Sequence, residues 1–147
     1  MADAAHVTAV VTAVANAVAA LYGAWRWWTV SPSRVFWVLA RVGQGFVVVQ
    51  AIAAGVLFIR DFLPGDGLYW LYAVLPLIVS FLGEQFRVTS AHTVLDARGL
   101  EDAQAVGRLD EAGQRSVVLA IVRREMGTMA AAAIVVAFLA LRAWGTA

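Results

Sequence analysis

The stretch 35–59, VFWVLARVGQGFVVVQAIAAGVLFI, decides the fold class of this chain. It is apolar along nearly its whole length, and Arg41 is its one charge. A helix needs roughly 20 mostly apolar residues to cross a hydrocarbon layer of ~30 Å, so this segment alone can span a bilayer. Its neighbours repeat the pattern. Residues 6–25 contain no acidic residue and no arginine, residues 68–87 carry no charge before Glu84, and 123–144 carry no charge within 126–141. Residues 6–25 do not form a cleavable signal peptide, because the first arginine, Arg26, follows the apolar run instead of preceding it.

Composition points the same way. Of 147 residues, 62% are hydrophobic and 14% charged, with a mean hydropathy of +0.77. A soluble domain carries about 25% charged and 45–50% apolar residues, and this apolar excess cannot be hidden in one soluble core of such size. The expected fold class is an all-α membrane protein. It forms a single domain over 1–147: a four-helix antiparallel transmembrane bundle, with a cytoplasmic helical hairpin extension, 88–122, between the third and fourth spans. Disorder and an ordinary soluble enzyme are excluded. Without cysteine there is no disulfide, thiolate metal site or thiol nucleophile. A net charge of +1 offers no basic field for nucleic acid.

Arginine placement predicts orientation, since the chain has no lysine. Arg26, Arg34 and Arg41 lie in or beside the first connection, and Arg87, Arg98, Arg108, Arg115, Arg123 and Arg124 in or beside the third. Arg60 and Arg142 belong to the other side. By the positive-inside rule the first and third connections are cytoplasmic and both termini extracytoplasmic. Trp25, Trp27, Trp28 and Trp37 fall at the inner boundary and Trp70 and Trp144 at the outer one, as interfacial aromatic rings do.

The connections carry helix-end signals. Ser31 with Pro32 predicts the start of the second helix, Asp66 that of the third, Gly99 a stop and Asp110 a start. Pro76 should bend the third helix near Tyr72. The pattern resumes at Asp110, with Glu111 and Arg115 spaced as an i,i+4 pair. The hairpin is either a solvated turn or a docking surface, and Glu101, Asp102, Asp110 and Glu111 are its candidate docking residues.

Polar side chains are costly within a membrane and so carry information. Counting outward from the middle of each connection sets Glu84 opposite Arg124 and opposite Gly43–Gln44, and Asn16 opposite Gly43. The expected buried polar layer is Asn16, Arg41, Gln44, Glu84 and one or both of Arg123 and Arg124, with Gln85 and Arg87 near enough to substitute. A carboxylate between guanidinium groups stays ionised, because opposite charges offset desolvation. Two readings stand side by side. The layer is a clamp that fixes helix register, or Glu84 handles a proton, an ion or a polar ligand head. Thr8, Thr12 and Asn16 form a stripe along the first helix that suits packing against a neighbour.

No cofactor is expected. His6 and His92 lie near opposite ends of the bundle and cannot clamp one haem from both faces. The sequence offers no Ser/His/acid geometry, no HExxH and no expected pair of carboxylates at one membrane level, so the chain reads as a non-enzyme.

The segments GEQFRVTSAHTVLD (83–96), HTVLDARGLEDAQAVG (92–107) and RSVVLAIVRREMG (115–127) resemble an uncharacterised family of small four-span integral membrane proteins of actinobacterial type. That resemblance implies the span count and no activity. VVVQAIAAGVLFI (47–59) followed by GLYWLY (67–72) is faintly similar to haem-A-synthase-type helices, but Tyr69 and Tyr72 stand where those need histidines.

The functional expectation is a membrane scaffold or accessory subunit in the cell membrane. Its surroundings are the lipid bilayer and either further copies of itself or a membrane-protein partner. A small oligomeric transporter or channel built on Glu84 and its arginines, and a lipid- or quinone-binding protein, are the alternatives.

Overall fold

The computed structural model describes residues 1–147 and contains five helices and no strand: α1 (Ala2–Trp28), α2 (Arg34–Ile59), α3 (Leu68–Ala97), α4 (Ala103–Gly107) and α5 (Glu111–Thr146). All but α4 are long and apolar enough to cross a membrane. They form a helical bundle in which α5 packs extensively on α1 and α3. The α1–α2 seam is also substantial, the α2–α3 seam is the thinnest of the four, and α2 barely meets α5.

One end of the bundle is closed by its termini. His6 meets Trp144 edge-on with ring centroids 6.4 Å apart. The amides of Gly65 and Asp66 donate to the carbonyls of Ala147 and Thr146, each at 3.0 Å. At the other end α3 and α5 continue outward. The 30 residues of α3 and 36 of α5 reach about 45 and 54 Å at the helical rise, beyond the ~30 Å of hydrocarbon.

Three helices end in the same device. Val30, Asp61 and Gly99 take left-handed φ values of 50, 52 and 66°. In each case the next amide reaches back to the last turn: Ser31 to Arg26, Phe62 to Leu57 and Leu100 to Leu95. This is the Schellman pattern, which satisfies carbonyls a helix would otherwise orphan. It also displaces the expected cap of α2. The Ser31 amide closes α1 and its hydroxyl donates to Thr29, so Ser33 caps α2, accepting from the Phe36 amide at 3.3 Å. Asp66 accepts from the Leu68 amide at 2.9 Å, but the cap position itself is Gly67.

Small residues set the interior. Ala5, Ala9, Ala54, Ala73 and Ala143 surround Leu57, Phe62 and Tyr69 near the termini, and Ala19, Ala20 and Ala133 meet farther along. Phe36, Ala40, Met126 and Met129 fill the opposite end. A Cβ at Gly23 would run into the Phe36 ring, so the glycine makes that insertion possible. Lipid tails are as apolar as these side chains, so close packing is what drives the helices together.

Helix α3 runs unbroken through Pro76, which is fully buried. Proline has no amide for the Tyr72 carbonyl, and Gln50 donates to the adjacent Ala73 carbonyl at 3.3 Å from α2. The Gln50 Oε1 atom is buried without a partner.

Candidate functional site

The polar residues of the bundle divide among its seams. At the α1–α2 seam, Asn16 Nδ2 donates to the carbonyls of Thr12 at 2.9 Å and Gly43 at 3.1 Å, and Thr12 Oγ1 donates to the Phe46 carbonyl at 3.1 Å. Asn16 lies so close to Gly43 that a Cβ there would come within 2.8 Å of its amide oxygen.

Glu84 lies in the thin α2–α3 seam. Arg41 Nη1 donates to its Oε1 at 2.6 Å, Gln44 Nε2 donates to the same oxygen at 2.9 Å, and Arg87 Nε donates to Oε2 at 2.8 Å. Arg41 also donates to Gln44 Oε1 at 2.7 Å. The Arg87 guanidinium stands 5.8 Å from the Trp37 ring centre, within cation–π range. The construction follows from helical spacing. Trp37, Arg41 and Gln44 recur at i, i+4 and i+7 on one face of α2, and Glu84 and Arg87 are one turn apart on α3. Arg41 approaches from outside, its side chain 55% exposed against 22% for Glu84.

Arg123 and Arg124 are not partners of the carboxylate; its two ion pairs are with Arg41 and Arg87. Arg123 lies over Trp27 at 5.2 Å, and Arg124 lies on the outer face of α5, exposed. Depth along the helix follows from counting, but which face a residue occupies does not. The packed face of α5 runs through Met126, Met129, Ala130 and Ala133. Arg124 lies one turn before Thr128, off that face. Glu125 lies one turn before Met129, on it, and within electrostatic reach of Arg87 and Glu84. It went unnoticed in the sequence, although the Met/Ala stripe that places it is visible there. With Glu125 the group has two carboxylates and two guanidinium groups, a balanced set suited to a low-dielectric setting.

The bundle interior near this site is closed. The space among Asn16, Ala40, Gln44, Ser80 and Met129 has room for about 10 Å³ of solvent, one water molecule at most. Of the candidate docking residues, Asp102 and Asp110 are helix caps, accepting from the amides of Ala105 at 2.8 Å and Gly113 at 2.9 Å. Glu101 and Glu111 are exposed. Arg98 ties the two arms together, donating to Ser116 Oγ at 3.0 Å. No group of three or more acidic or histidine side chains is placed to hold a metal ion. Tyr69 is packed edge-on against Phe62, and Tyr72 lies under the Arg142 guanidinium at 5.4 Å.

Comparison with protein-family models, curated proteins and solved structures returns no match.

Proposed function

We propose that this chain is a non-enzymatic membrane scaffold or accessory subunit. Its bundle is antiparallel, both termini are extracytoplasmic, and the outer parts of α3 and α5 with α4 form a cytoplasmic hairpin that docks a partner. The observation that carries this reading is the hairpin itself. It extends beyond the apolar belt on two continuous helices, is capped at Asp102 and Asp110, stopped at Gly99 and cross-tied by Arg98. Such a projection is ordered enough to present Glu101, Asp102, Asp110 and Glu111 in a fixed arrangement. The bundle contributes anchorage: Glu84, Gln44 and Asn16 are engaged with neighbouring helices, and the space beside Asn16 and Gln44 has room for one water molecule at most. The arginine asymmetry supports the orientation, and the segment 83–127 supports kinship with small four-span membrane proteins of actinobacterial type.

A photo-crosslinking residue at Gln104 or Ala112, exposed positions beside the acidic side chains, introduced in native membranes, tests the reading. One discrete adduct is expected from both positions. It should be lost when the charges are removed with caps preserved, as Glu101→Gln, Asp102→Asn, Asp110→Asn and Glu111→Gln together, because asparagine caps as well as aspartate. Proton, sodium, potassium or chloride flux in reconstituted vesicles, above that of protein-free vesicles and abolished by Glu84→Gln, would establish the transporter instead.

A further inference from the structure

Arg124 has no carboxylate, hydrogen-bond or aromatic partner within the chain, unlike Arg41, Arg87 and Arg123 nearby. It is also where three hollows of the surface meet. An open groove of about 570 Å³ runs between α3 and α5 past Val79, Leu82, Phe86 and Val135. A second, of about 500 Å³, runs between α1 and α5 past Ala24, Trp27 and Ile134. A third, of about 380 Å³, opens beyond Arg124 and is lined by Val30, Val94, Leu119 and Arg123. The first two share Arg124, Thr128 and Ala131, so only a low ridge of small side chains separates them. The Thr128 hydroxyl makes no bond within the chain.

Depth favours the same conclusion. Arg124 and Trp144 are separated along α5 by about 30 Å at the helical rise, which is the thickness of the hydrocarbon layer. Trp27 packs on Gly127, where a Cβ would come within 2.8 Å of the indole nitrogen, and marks the same level as an interfacial tryptophan does. A fixed positive charge at headgroup depth, with two apolar channels leading from it into the membrane and a smaller hollow on the other side, matches the parts of one molecule. We propose that Arg124 and its flanking grooves bind an anionic diacyl phospholipid. The phosphate rests on the guanidinium, an ester oxygen accepts from Thr128, the acyl chains straddle Ala131 and the headgroup enters the third hollow. A second copy packed through this face would set Arg124 against its own counterpart at the same level, while the neighbouring Glu125 lies on the packed face of α5, within reach of Arg87 and Glu84, so charge complementarity favours the lipid.

Native mass spectrometry of the full chain, titrated with phosphatidylglycerol and with phosphatidylcholine, tests the site. One retained phosphatidylglycerol per chain is expected, bound about fivefold or more tightly than phosphatidylcholine, as one guanidinium near an anionic headgroup provides. Arg124→Gln should abolish that preference, while Arg142→Gln, at the other end, keeps it. Ala131→Phe leaves the charge and fills the ridge, and should weaken both lipids. Equal affinity of the wild-type chain for the two lipids would overturn the proposal, as would an unchanged preference in Arg124→Gln. Quantitative disulfide-linked dimers from Ala131→Cys in phosphatidylglycerol membranes would do the same, by assigning this face to a second copy.

Discussion

Asn16 of α1 hydrogen-bonds the Gly43 carbonyl of α2 at 3.1 Å, and only the missing side chain of Gly43 lets the two come that close. The contact fixes both the depth and the facing of α1 on α2. Gly45, two residues on, has open space where its Cβ would be. The pair makes a controlled comparison. Gly43→Ala should destabilise the bundle by about 1–3 kcal/mol through overpacking. Gly45→Ala should be neutral, or stabilising by up to about 1 kcal/mol through helix propensity. Unfolding of the two variants in one lipid–detergent mixture checks the difference.

Val30 is a β-branched residue in the left-handed region, at the point where α1 ends. The conformation costs an L-residue about 1–2 kcal/mol, and Gly99 adopts it freely at the end of α3. Val30→Gly should therefore raise stability by about 1 kcal/mol, after the entropy of a more flexible unfolded chain is deducted. Gly99→Val should lower it by a comparable amount. A melting comparison in which Val30→Gly falls below wild type would show that the Val30 side chain contributes more than its backbone costs.

The hairpin caps give a local prediction. Asp110→Ala removes the acceptor of the Gly113 amide and should cost about 0.5–2 kcal/mol, whereas Asp110→Asn should cost almost nothing. Hydrogen exchange of amides near 111–116 is the appropriate measurement. Faster exchange in the alanine variant alone is expected, with 126–143 unchanged; equal exchange in both variants would remove the cap from the account.

Much of this was legible in the sequence. The four apolar runs coincide with helices, and counting from the connections set Asn16 opposite Gly43 and Glu84 opposite Gln44, pairs that hydrogen bonds join. Depth is readable because it accumulates at a fixed rise per residue. Facing is harder, since each residue turns the helix by about 100°, and one position separates Arg124 on the outer face from Glu125 on the packed one. The same short-range sensitivity moved the α2 cap from Ser31 to Ser33. Which of two nearby serines caps depends on how α1 ends, and that rests on a left-handed Val30 that no propensity favours.

Glu84 lies where packing between neighbouring helices is thinnest, and its bonds to Arg41 and Gln44 hold that seam, while Arg87, one turn on along α3, fixes its second oxygen. The most direct measurement is a double-mutant cycle of unfolding free energies for Glu84→Gln and Arg41→Gln in lipid bilayers. Interhelical polar pairs in membranes couple by about 0.6–1.7 kcal/mol, and this charge-assisted pair should fall at or above the top of that range. A coupling of zero within error would contradict the clamp and leave Glu84 without its structural role.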